Sequence, residues 1–395
     1  MILDLQRQWK QWTLDNPGIF ISYNGHSFDE ELVRRQFFWN LLEPYTTNTN
    51  GNGRLDLMLM MHNVACFFPE AINIPLFEDG PKISLKLEHI ARANDVSADD
   101  AHDAIADCNL MIDVTKKISD VIPDVFQSFL NISTKPGVMN LLNSDGFLAL
   151  GEVFRRQMFR YPVVWCGSDP VRPNEIVFFD LSFDDPEEIL ELELSEIFKL
   201  INAGGRDGPL KKYKINKTIP ICHSDHLTDK TIFDVDFDEL NRRAQLVKNH
   251  QDFQTKVSQA MSDRMTSYPE PEHIEQTIYS GGFPSYKDKD LMQEFHLTDD
   301  AEHRIKIARN FEDERSRVFA ERLVCQMHNQ EAPEDFKKRY KEMLEERIAS
   351  KGVWGCVESS IDQSIKLLDE QEDEEGAKIL KDTIDYLKKM QTIVD

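Results

Sequence analysis

No apolar run in this chain is long enough to cross a membrane as a helix, which excludes a helical membrane protein. The opening residues, MILDLQRQWKQWTLDN, also lack the apolar stretch of a secretory signal. Cysteine is sparse and scattered: Cys66, Cys108, Cys166, Cys222, Cys325 and Cys356 form no C-x-x-C pair. That argues against zinc ribbons and a disulfide scaffold, and fits reduced thiols in a cytoplasm. There is no internal repeat, so solenoids and propellers drop out. Basic charge is in short supply, with 46 Lys and Arg against 70 Asp and Glu and a net charge of −24. Such a balance speaks against a surface coated in phosphate-binding cations. It does not speak against a local basic lining, and Arg34, Arg35, Arg54, Lys82, Lys86 and Arg92 all fall in the first third. The acidic runs Asp184 to Glu188 and Asp369 to Glu375 read as solvated surface.

What is present supports more than one domain. A chain of 395 residues with 41% apolar content can build two or three cores. Residues 1–122 read as α/β. A helix runs from Met1 to Leu14, an apolar strand from Gly18 to Tyr23 and a helix from Asp29 to about Leu42. Further helices cover Leu57 to Phe68, with Met58, Met60 and Met61 as core filling, then Leu85 to Ala93 and His102 to Ile118. Pro123 ends this segment. Short β-rich runs follow, at Phe159 to Cys166 and Glu175 to Leu181. Gly204 to Gly208 lacks the Lys-Ser/Thr of a phosphate loop and reads as a plain loop. Lys211, Lys212, Lys214 and Lys217 are either a charged strand edge or the wall of a polyanion track. Tyr268-Pro269-Glu270-Pro271 is a linker. Helical periodicity then runs to the end, with Ile379, Leu380, Ile384, Leu387 and Ile393 as a core stripe.

Two stretches carry chemistry. The first is Tyr23-Asn24-Gly25-His26-Ser27-Phe28-Asp29, and the second is His102-Asp103-Ala104-Ile105-Ala106-Asp107. Carboxylates from separate elements can gather hard divalent cations, which keep much of their water and need few protein ligands. An imidazole titrating near neutrality can take a proton from an attacking water. Each stretch also has a plain reading. Asp29 suits a helix cap or first-turn acid, and His102 to Asp107 suits an ordinary helix start with acids favoured by the dipole.

In this order, the two stretches resemble the second and third motifs of the DEDDh exonucleases. The text between and around them narrows the resemblance to bacterial exonuclease I. Arg34 follows Asp29, then come Glu43-Pro44-Tyr45, Arg54-Leu55-Asp56-Leu57, and Lys86 to Asn94 leading into the histidine motif. The likeness continues more thinly to the C-terminus. It implies an α/β plus β plus α architecture. This comprises a truncated RNase H-like nuclease domain over 1–122, an SH3-like β-barrel domain over 123–270 and a C-terminal helical domain over 271–395, together a clamp. The implied activity is 3′-to-5′ hydrolysis of single-stranded DNA with two magnesium ions, in repair and recombination. Asp29 and Asp107 would bind metal and His102 would be the base. Arg34, Tyr45 and Lys86 match positions that touch the strand, cations for phosphates and an aromatic for stacking. Their plain alternatives are an Arg34 pair with Glu30 or Glu31, a loop anchor at Tyr45 and a solvated Lys86. The implied partners are single-stranded DNA and the acidic C-terminal tail of the single-stranded-DNA-binding protein, with the protein a monomer.

The chain departs from the family in two places. The loop after Tyr45 is rich in Thr, Asn and Gly where the family has aromatics. The family's first motif, Asp-x-Glu on an opening strand, is not found in residues 1–22. The expectation is therefore an incomplete version of an active enzyme, with little nuclease activity and weak magnesium binding as given. Two rivals stand beside it. One is an inactive relative that binds single strands or the single-stranded-DNA-binding protein. The other is an acidic DNA mimic.

Overall fold

The computed structural model describes residues 1–77, 80, 82–96, 103–183, 186–204, 208–264, 269–349, 355–371 and 373–392. His102, Asp184-Asp185, Gly205 to Asp207, Tyr268 and Ile393 lie outside them, and so do the expectations resting on those residues. The chain divides into two compact units, Met1–Arg34 with Pro44–Pro269, and Arg35–Glu43 with Glu270–Asp395.

The first unit opens with α1 (Ile2–Trp12), whose Trp9 meets Phe20 at 5.0 Å between ring centroids. Phe20 lies on β1 (Ile19–Ser22), which pairs in parallel with β2 (Gly53–Asp56), Ile19 opposite Gly53 and Ser22 opposite Asp56. Parallel pairing needs a crossover, and α2 (Asp29–Trp39) supplies it. Among the described residues, β1 forms no other ladder. Ile19 and Ile21 on it stay 39% and 38% exposed, far from the burial a sheet interior gives such side chains. Asp56 caps α3 (Leu57–Phe67) by accepting from Met58 N–H, and Met60 and Met61 are fully buried as core filling. Two further helices follow, α4 (Leu87–Ala93) and α5 (Ala104–Val121). Pro123 follows the end of α5. It begins α6 (Pro123–Asn131), because the first helical position has no amide bond to lose, and α7 (Lys135–Leu142) comes next.

The β-rich region is one antiparallel sheet: β3 (Leu148–Phe154), β4 (Gln157–Ser168), β5 (Glu175–Asp180), β6 (Leu210–Lys214) and β7 (Ile221–His223), in the order β6-β5-β4-β3-β7. The β3–β4 hairpin turns on Arg155 and Arg156, both left-handed at φ 48° and 69°, as a two-residue primed turn requires. The sheet is open among the described residues, with β6 and β7 at its edges, where a barrel was expected. The reason lies in how its faces are covered. Leu148, Leu150, Val163, Ile176 and Phe178 bury against α3 and its neighbours. Phe147, Val164, Val177, Phe179 and Leu210 bury against helices at 194–203, 237–249 and 251–262. With both faces packed against helices, burial does not require closure. Gly151 permits the close packing on one side, since a Cβ there would lie 2.9 Å from the Asn63 Cα.

The second unit is helical. Its larger core gathers Leu41, Phe295, Ile307, Phe319, Val324 and Phe336. Phe38 meets Phe319 edge-on at 5.0 Å. Buried Asp288 accepts from the Glu312 and Asp313 amides at 2.9 and 2.8 Å. A smaller cluster of Val357, Ile361 and Ile384 joins the helices 357–370 and 374–392. The expected stripe is core at Ile384 and partly at Leu387, whereas Ile379 is exposed. No helix of the described residues is long and apolar enough to cross a membrane.

Candidate functional site

The loop between β1 and α2 is held from below by one carboxylate. Asp56, at the end of β2 and 1% exposed, accepts from Asn24 N–H at 2.7 Å, His26 N–H at 3.3 Å and Met58 N–H at 3.1 Å. Asn24 takes the left-handed conformation, φ 61°, which its short side chain tolerates. Gly25 follows where a Cβ would collide with the Ser22 side chain at 2.4 Å. A short 3-10 turn, Gly25–Ser27, then delivers the chain to Asp29, the first residue of α2.

His26 is buried beneath this turn. The Thr218 N–H donates to its Nε2 at 3.1 Å, so the imidazole proton sits on Nδ1 and donates to Glu30 at 3.2 Å. The Thr218 hydroxyl lies 3.0 Å from the same Nε2 and accepts from the Asp56 N–H at 2.8 Å. Glu30 also binds Arg54 at 2.5 Å, and Arg54 donates onward to the Asn216 carbonyl. Burial alone would raise the Glu30 pKa. The His26 hydrogen bond and the charges of Arg54 and Arg34 outweigh it and hold the carboxyl below its ordinary value. Tyr23 donates its hydroxyl to the Leu85 carbonyl at 2.5 Å, and burial with the charge of Asp56 drives its pKa upward.

Against this buried frame Asp29 is exposed, with Glu30 and Glu31 beside it in the first turn of α2. Arg34 lies 3.7 Å from both Glu30 and Glu31, and its guanidinium stands 5.4 Å over the Tyr45 ring. Arg34 and Tyr45 are thus brought together, and the acid partners of Arg34 are there as well. Lys86 is exposed at the cap position of α4 and forms no ion pair among the described residues. Asp107 is half-buried in the first turn of α5, and Asp103 caps that helix by accepting from the Ile105 and Ala106 amides. His102 is outside the described residues. Among the described residues, no three His, Cys, Asp or Glu side chains gather to hold a metal. Two carboxylates do not make a complete magnesium site.

Residues 272–390 match the family model of the exonuclease I C-terminal domain. Exodeoxyribonuclease I of Haemophilus influenzae is 27% identical over 291 residues, covering 69% of this chain and 60% of that protein. The fold matches Escherichia coli exonuclease I in complex with a dA16 oligonucleotide at a TM-score of 0.77 and 20% identity, over 98% of this chain and 83% of that one. Over most of its length the chain is similar to bacterial exonuclease I. An exonuclease I/SSB-Ct complex matches at a TM-score of 0.73 and 20% identity, with the same two coverages of 98% and 83%. The chain spans about three fifths of the length of the curated exonuclease I relatives from Haemophilus influenzae and Escherichia coli.

His26, Arg54 and Asp56 stand in the stretches that carry the resemblance, but nothing in the sequence shows that they join Thr218 in one buried frame. The one local signal was Asp56, a carboxylate standing directly before the apolar run of α3.

Proposed function

We propose that this protein works on single-stranded DNA as an exonuclease I-type hydrolase, releasing nucleotides from the 3′ end with a divalent metal such as magnesium. Asp29 and Asp107 are the metal acids in this reading, joined by ligands beyond the described residues. His102 takes the proton of the attacking water. Arg34 and Lys86 hold phosphates, and Tyr45 offers a ring for a base. The acidic tail of the single-stranded-DNA-binding protein is the proposed partner. One observation carries the reading: Asp29 is exposed at the start of α2 while its neighbours His26 and Glu30 are locked in a buried network. An acid fixed in place yet open to solvent suits a ligand from outside.

A second reading is a relative that binds the strand without cutting it. The lack of a three-ligand group among the described residues favours it. Incubation of a 5′-labelled single strand with the protein and magnesium separates the two. Stepwise shortening from the 3′ end, lost in His102→Ala, supports hydrolysis. Binding without shortening supports the second reading, and neither binding nor shortening overturns both.

A further inference from the structure

The edge strand β6 sends its lysines two ways. Lys211 is buried, with Nζ 3.3 Å from the Asp180 carboxylate and 3.8 Å over the Tyr161 ring. Tyr213, two residues on and so on the same face, donates its hydroxyl to Glu152. Lys212 and Lys214, at the alternate positions, are exposed at the sheet edge. With Lys217 and Arg264 they line a cavity of about 540 Å³ at this edge, whose wall also includes Tyr213, Glu152, Glu175 and Thr218. Glu175 is shared, 3.1 Å from Arg264 and 3.7 Å from Lys214. Glu152 is engaged by Tyr213. Four cations thus face two carboxylates, a surplus of two positive charges.

His62 adds a neutral donor to the lining. Burial pushes its pKa down to about 4, and its Nδ1 accepts from the Val153 N–H at 3.3 Å, which leaves the proton on Nε2. Partial burial and the charge of Arg264 together pull Lys212 below its ordinary pKa, as expected of an ammonium short of counter-charge. A charged edge that only discourages aggregation needs lysines on β6. It does not need Arg264, from beyond the helix at 251–262, brought to the same cavity.

We propose that this cavity holds a phosphate ester, an assignment that rests on the reading of the protein as a binder of single-stranded nucleic acid. Lys212, Lys214, Lys217 and Arg264 would supply charge to the phosphate oxygens. Thr218 ties the cavity to the motif loop, since it also fixes His26. The ester could be a phosphodiester of the strand or a free nucleoside monophosphate.

Two titrations on the full chain test it. The first measures a labelled oligothymidylate against salt, in wild type, Lys212→Glu and Arg264→Gln. Lys212 is exposed, so Lys212→Glu should melt like wild type. The expected result is binding weaker by about three- to tenfold in each variant, with a salt slope shallower by about 0.7 for the lost phosphate. The second is calorimetry with thymidine monophosphate. Heat in wild type that disappears in Lys212→Glu assigns the cavity to a free nucleotide as well. Weakened strand binding without that heat assigns it to the strand alone. A wild type that binds the strand, with both variants unchanged in affinity and slope, would overturn the cavity and leave the strand reading standing. A wild type that binds no strand would remove the strand reading, and calorimetry alone would then decide: heat lost in Lys212→Glu supports the site, and no heat overturns it.

Discussion

The Thr218 backbone N–H donates to His26 Nε2 at 3.1 Å across 192 residues of chain. This bond sets which nitrogen of the imidazole carries the proton, and through Nδ1 it holds Glu30, the neighbour of the exposed Asp29 in α2. The loop that carries the candidate metal acid is therefore fastened to the start of β7's approach, far away in sequence.

His26→Ala should destabilise the protein by about 2–4 kcal/mol. It leaves a buried cavity, strips Glu30 of a donor and orphans the Thr218 amide. Urea unfolding reads this directly. A cost below about 0.5 kcal/mol would mean the network does not fasten the loop.

Arg54→Met should cost about 3 kcal/mol, because Glu30 would keep a buried charge with less compensation. Glu30→Gln in the same chain should recover part of that loss. A double-mutant cycle measures the coupling, and additive effects would deny that the two act as a pair.

Stability should fall in mild acid. The folded pKa of His62 is about 4, against an ordinary 6.5. Between those values the unfolded chain takes up a proton that the folded chain refuses, so stability rises with pH across that window. The neutral-state advantage is complete above about pH 6.5 and is lost as pH falls toward about 4, amounting to about 3 kcal/mol. Urea midpoints of wild type should fall across this window, and those of His62→Gln should stay nearly flat if the His62 proton is responsible. A wild-type midpoint that is flat across this window would contradict the assignment.

In any active form of the protein, His102→Ala should lower turnover by roughly 10²–10⁴ with little change in strand affinity. Asp29→Ala and Asp107→Ala should abolish turnover together with metal binding. Undiminished turnover in His102→Ala would return that stretch to an ordinary helix start.

Arg34 and Tyr45 touch, so their effects on strand binding should be coupled rather than additive. Tyr45→Ala should weaken binding with little change in salt slope, whereas Lys86→Ala should flatten the slope. Anisotropy titrations at several salt concentrations distinguish these.

Local patterns were legible where a short stretch decides its own structure. Met60 and Met61 of α3 are core as the spacing implies, while Met58 is half-buried, and the helix around Asp107 starts two residues later than the sequence suggests because Asp103 is the cap. Pro123 stands just after the end of α5 and also opens α6, because a proline suits a first turn. The helices at 237–249 and 251–262 have no clear signal in the sequence, although with the helix at 194–203 they cover one face of the sheet. Lys211 looked like its neighbours in a lysine-rich run, yet its partner is Asp180 on the adjacent strand. The frame under Asp29 was invisible for the same reason: His26, Arg54 and Thr218 find one another only after β1, β2 and the sheet have formed.

The central claim is that this is a protein of single-stranded DNA. Equilibrium binding to a single strand and to a blunt duplex of the same length, each at low and moderate salt, tests it most directly. The account predicts much tighter binding to the single strand, with affinity falling as salt rises. Equal or tighter binding to the duplex would contradict it.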